Sequence, residues 1–195
     1  LEEATGFAIP AHLEGAMLHN LDRFTDNPDG LLFVPPDLGW LAPKLELHSL
    51  REALLAFTAL ARRRNSRWAV QRAHVMLDTL QRILQPDGSW DMHALDYARH
   101  AAPQPGSGLG DLTGTSGRLI EPLVLFYQTT GEASALDLAE RIARYHLEHT
   151  TTPNGPLPAA LASLANMGHS HSYMGTLRGL LRFGLFTGQR EYVAR

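Results

Sequence analysis

The chain contains no cysteine, which excludes a disulfide scaffold, a thiolate-bound metal and a cysteine nucleophile. No apolar run approaches the roughly 20 residues that a membrane-crossing helix needs, and no signal-peptide pattern follows Leu1. A large charge of one sign is missing too, since 17 Lys and Arg against 20 Asp and Glu leave a net charge of −3. Nucleic acid calls for a basic stripe, and the basic run here is the short Arg62-Arg63-Arg64. It stands just before a turn, where cations suit a helix C-terminus. Neither nucleic acid nor a membrane is an expected partner.

What is present fits a globular protein: 195 residues, 44% hydrophobic and 19% charged. Three stretches share one pattern, an apolar helix, a tight polar turn and an amphipathic helix. The first runs from Leu47 to Ala61, turns near Asn65 and continues from Trp68 to Leu84. The second runs from Arg118 to Tyr127, turns at Thr130-Gly131-Glu132 and continues from Leu136 to His149. The third runs from His171 to Phe186, turns at Thr187-Gly188-Gln189 and starts again at Tyr192. A helix over Ala11 to Phe24 reads as the second half of a preceding pair. Gly131 and Gly188 suit the left-handed position that closes a helix.

The two helix types differ in chemistry. In Leu136–His149 the apolar Leu136, Ala139, Ile142 and Ala143 share one face, while Asp137–Arg141, Glu140–Arg144 and Arg144–Glu148 are i,i+4 pairs on the other. Tyr173–Phe186 is apolar nearly all round, with Gly175, Gly179 and Gly184 for close approach, and predicts a helix buried between neighbours. Each pair therefore has an inner helix followed by an outer one. The connections Thr25–Glu46, Gln85–Gly117 and Thr150–Ser170 are far longer than ordinary helix–helix links. If all inner helices run the same way, these segments gather on one face, and long loops in compact domains carry function. The expected class is all-α, built of antiparallel α-hairpin repeats.

Thr113-Gly114-Thr115-Ser116-Gly117-Arg118, Pro122–Tyr127, Thr130-Gly131-Glu132 and Ala139-Glu140-Arg141 together resemble the repeated hairpin of (α/α)6-toroid, six-hairpin glycosidases. Gly168-His169-Ser170-His171, followed by Leu177–Leu181 and Thr187-Gly188, resembles the next hairpin. The nearest likeness is to the β-L-arabinofuranosidase-like members, over most of residues 45–195. It implies one partial toroid domain over residues 1–195, whose remainder comes from elsewhere in a longer chain or from a partner chain. It also implies a carbohydrate ligand, an oligosaccharide or glycoside. Those arabinofuranosidases use a cysteine nucleophile in a zinc-thiolate setting, and with no cysteine here that mechanism does not carry over.

Glycoside cleavage needs a proton donor and a second carboxylate. Glu121, before Pro122 at the loop end of an apolar helix, and Asp111, in the glycine-rich Gly108–Gly114, are the expected catalytic pair. Their plainer alternatives are a salt bridge to Arg118 and a turn or helix cap. Asp87, Asp91 and Asp96 also lie in the long loops. Charges crowd the loop ends of the inner helices: Glu46, Arg51 and Glu52, then Arg118 and Glu121, then Arg178, with Arg182 the exception. Expected substrate-binding residues are His169, His171, Tyr173, Arg118, His48 and Trp90. Trp40 and Trp90 offer ring faces of the kind that suits a sugar. His169 and His171 alone make a weak metal motif, so neither a metal nor a cofactor is expected. The leading expectation is a glycoside hydrolase. A non-catalytic α-hairpin repeat that binds glycan or protein, and a histidine-based sugar epimerase, are the alternatives.

Overall fold

The computed structural model describes residues 5–33, 49–86, 90–91, 116–152, 155–156 and 170–194. Its helices are α1 (Ala11–Thr25), α2 (Leu50–Arg64), α3 (Arg67–Ile83), α4 (Ile120–Thr130, led by a 3-10 turn at Gly117–Leu119), α5 (Ala133–His149), α6 (Ser170–Thr187) and α7 (Arg190–Val193). Two-residue strands β1 (Thr151–Thr152) and β2 (Gly155–Pro156) pair antiparallel. The described residues are mostly helical, and the all-α class holds.

Periodicity explains the outer helices. The buried Ala69, Ala73, Met76, Leu77, Leu80 and Ile83 recur at three- and four-residue steps along α3, a stripe that only one helix face can present. Ala135, Leu138, Ala139, Ile142, Ala143 and His146 do the same in α5. Leu136, expected on that face, lies half-buried at its margin. The Arg62-Arg63-Arg64 run occupies the last turn of α2. Pro122 is the third residue of α4, in the first turn, where its missing N–H breaks no helical bond.

Three links of two residues each join α2 to α3, α4 to α5 and α6 to α7, and all three share one backbone shape. The first residue is left-handed, at Asn65 (φ 50°), Gly131 (φ 77°) and Gly188 (φ 76°). The second is extended, at Ser66, Glu132 and Gln189. Glycine enters that region without a Cβ penalty. Ser66 then caps α3 by accepting the Ala69 N–H at 3.3 Å, a contact of about 1 kcal/mol. Glu132 accepts from the Ser134 hydroxyl at 2.8 Å at the start of α5.

Within each pair the two helices pack on one another, and α4 packs between α2 and α6. Contacts at both ends fix direction. Between α2 and α4, Arg51 meets Glu121 at one end, and Ala61 and Arg62 share a hollow with Leu125 and Gln128 at the other. Between α4 and α6, a Cβ on Gly117 would overlap Thr176 at one end, and Tyr127 meets Phe186 edge-on at 5.7 Å at the other. These three helices run the same way. Each contributes one fully buried phenylalanine: Phe57, Phe126 and Phe183. Each ring makes a T-shaped contact with an outer-helix ring, Trp68 at 5.8 Å, His74 at 6.2 Å and Tyr192 at 5.0 Å respectively, a geometry that aromatic quadrupoles favour.

One expectation is corrected. The helix Tyr173–Phe186 is not buried all round, because Met174 (61% exposed), Leu181 and Leu185 (69%) lie open on one side of α6. Its other side is buried as expected, with Gly179 against Ile120 and Gly184 against Tyr192 and Val193. The described part of the connection after Thr25 has no helix and contributes to the core. After a turn in which the Asn27 side chain bonds the carbonyl of Leu31 at 2.7 Å, Leu31, Leu32 and Phe33 enter the core. Asp29, fully buried there, pairs with Arg82 at 2.8 Å.

Candidate functional site

Side chains from the starts of α2 and α4 and from the middle of α6 converge on Glu121; Arg178, expected at the loop end of its helix, is the ninth residue of α6. Its side chain is only 2% exposed. Oε2 accepts from Arg51 at 3.0 Å, and Oε1 faces Arg178 at 2.8 Å and Arg182 at 3.5 Å. Glu52 extends the network, accepting from Arg51 and from Arg118, each at 3.0 Å. Burying a carboxylate is costly unless it is paired, and three guanidiniums supply that pairing here.

Glycine shapes the cluster. A Cβ at Gly175 would stand 2.8 Å from Arg118 Cγ, and one at Gly179 would stand 2.9 Å from the Gly117 carbonyl. Both positions let α6 lie close enough for its arginines to reach Glu121. Arg178 and Arg182 sit one turn apart on α6 and border an open cavity of about 540 Å³ with Gln128, Leu181, Leu185 and Phe186.

The expected site residues divide. Glu121 and Arg118 lie in the cluster, although Arg118 bonds Glu52 while Glu121 takes Arg51, Arg178 and Arg182. His171 is exposed and stands seven residues before Arg178 on the same side of α6, about 10 Å along the axis. Tyr173, two residues further, points about 200° round the helix from His171, so the two rings do not face one another. Burial raises the pKa of Tyr173. Trp90 is half-buried against the core, bridged to Leu84, and its Nε1 is buried with no hydrogen-bond partner among the described residues. It is a packed ring at the end of α3. Asp111, His48 and His169 lie outside the described residues, as do Trp40, Asp87 and Asp96. Asp91 donates its backbone N–H to Ile83 at 2.7 Å.

Two features escaped sequence reading. Arg182, the apparent exception to the charge layout, belongs to the cluster, and its four-residue spacing from Arg178 was the available sign. The second is His146, wholly buried on α5. Its Nε2 lies 2.9 Å from Ser116 Oγ and its Nδ1 2.7 Å from Thr150 Oγ1. Thr150 donates its own proton to the His146 carbonyl at 3.1 Å, so Nδ1 carries the imidazole proton and Nε2 accepts from Ser116. Burial, with the neighbouring His149 charge, pushes His146 down to about 3. Ser116 is 1% exposed, so this pair ties the start of α4 to the end of α5 rather than facing a ligand. The signal was there, as His146 continues the stripe through Ala139 and Ile142.

Among the described residues no three His, Asp or Glu side chains gather as metal ligands, and no helix is long and apolar enough to cross a membrane. Compared with models of protein families, with curated proteins and with solved structures, the chain matches none.

Proposed function

We propose that this chain is part of a carbohydrate-active α/α toroid of hairpin repeats, with its ligand site where the starts of the inner helices α2 and α4 meet the middle of α6. The observation that carries this reading is the ion-pair cluster joining those three helices, Arg51–Glu121–Arg178 with Glu52 and Arg118. A solvated face would spread such charges; here they meet around one buried carboxylate. In a hydrolase of this kind Glu121 and Asp111 supply the two carboxylates.

Two open faces support a larger ring. One is the Met174–Leu181–Leu185 side of α6. The other is an apolar groove of about 530 Å³ between α1 and α2, walled by Met17, Leu18, Leu21, Ala53, Ala56 and Leu60. Neighbouring hairpins, from the same chain or a partner, fit both.

A second reading, a non-catalytic glycan-binding repeat, is favoured by the Glu121 clamp. With both oxygens held by guanidiniums, this carboxylate has little left to offer a leaving group. A glycan array followed by thermal-shift and turnover measurements separates the two. A hydrolase loses turnover of its ligand in Glu121→Gln or Asp111→Asn, whereas a binding module retains binding and shows no turnover in any form. If neither substitution alters binding or turnover of any saccharide found, the site is elsewhere.

A further inference from the structure

We infer that the Arg178–Arg182 face of α6, which leads from Glu121 toward the C-terminal ends of α4 and α6, is an oxyanion site for a ligand that carries a carboxylate or phosphate group. This goes beyond the reading above and does not rest on it for the location of the ligand. The argument is one of charge and geometry. Arg51 has Glu52 as a second partner at 3.0 Å, whereas the ion pairs of Arg178 and Arg182 go to the same Glu121 oxygen. Two guanidiniums thus share one carboxylate atom, so that among the described residues their positive charge is only partly offset.

That charge is accessible. The Arg178 side chain is 64% exposed and that of Arg182 39% exposed, while Glu121 beneath them is 2% exposed. A guanidinium has five N–H donors in a planar fork, and Glu121 uses only the edge of each that faces inward. The outward donors border the cavity of about 540 Å³. Like charges one turn apart repel, so the arrangement holds two cations at a spacing that a bound anion relieves. Glu121 fixes them from below, which lowers the ordering cost of binding. Arginine is suited to this task because its fork matches the oxygens of a carboxylate or phosphate. Leu181, Leu185 and Phe186 on the same wall give the uncharged body of such a ligand an apolar surface.

The test is titration calorimetry of the whole chain with glucuronate, glucose 6-phosphate, inorganic phosphate and neutral glucose, at low and high salt. Expected is saturable binding of the anions that weakens as salt screens the site, with glucose far weaker. Arg178→Gln should weaken anion binding about tenfold, and Arg178→Lys by less. Arg51 and Arg182 still pair Glu121 in both variants, and circular dichroism with thermal unfolding checks that the fold is kept. Tighter glucuronate than phosphate identifies a carboxylate ligand; the reverse identifies a phosphate. Equal anion binding by wild type and Arg178→Gln, or anions no tighter than glucose, overturns the inference. The two readings fail differently. A neutral glycan that binds through Glu121 while anions bind no better leaves the carbohydrate proposal standing alone, and phosphate bound without any saccharide leaves only the anion site.

Discussion

At Glu121 the chain holds an acidic side chain in its interior by surrounding it with arginines from two other helices. At His146 it does the opposite, keeping a titratable ring neutral between two hydroxyls. The second arrangement has a consequence for stability. Burial sets the folded His146 at about 3, below the ordinary 6.5. The unfolded chain therefore binds more protons here than the folded one. The stabilisation is complete above about pH 6.5 and is lost progressively as pH falls toward about 3. Urea unfolding of the wild type should show its midpoint falling through that window. A His146→Gln variant should be less stable at neutral pH, with a shallower fall. Parallel profiles for the two proteins would remove His146 as the cause.

The helices depend on points where a side chain would not fit. Gly179 lets α6 rest on α4, since a Cβ there would lie 2.8 Å from Ile120 Cβ and 2.9 Å from the Gly117 carbonyl. Backbone cannot move aside as a flexible side chain can, so Gly179→Ala should cost about 1–3 kcal/mol of stability. It should also loosen the Arg178–Glu121 contact, read as weaker anion binding. The links obey a different constraint. Gly131 has open space around its missing Cβ but a φ of 77°, so Gly131→Ala should cost about 1–2 kcal/mol from backbone strain alone. Denaturant unfolding measures both. A Gly131→Ala protein as stable as wild type would mean that the α4–α5 link relaxes out of its left-handed turn.

Across the molecule, the order α3–α2, α5–α4 and α7–α6 places the buried Phe57, Phe126 and Phe183 at equivalent depth in successive helix pairs. Replacement of the exposed Met174 and Leu185 by serine should change stability by no more than about 0.5 kcal/mol each, because both side chains stay mostly in water. Phe183→Ala on the same helix should cost about 3–5 kcal/mol. That contrast within one helix, read by thermal unfolding, tests which side of α6 the fold uses. Comparable losses on both sides would mean that the Met174–Leu185 face is covered.

Helix type and position were legible because they follow from local rules: a three-to-four-residue apolar step in α3 and α5, and a residue tolerant of positive φ at Asn65, Gly131 and Gly188. The loop-end charges of α2 and α4 were legible for the same reason, since a polar residue in an apolar run stands out wherever it folds. Periodicity tells which residues avoid water but not what will cover them. It therefore marked α6 as surrounded when one side lies open, and passed over Leu31–Phe33 because three residues are too few to show a period. Pairing across distant elements was beyond it. That Glu121 meets Arg51, 70 residues earlier, and that Arg178 and Arg182 close on the same oxygen, depend on the direction and depth at which the helices pack. Those are set by contacts spread over the whole core.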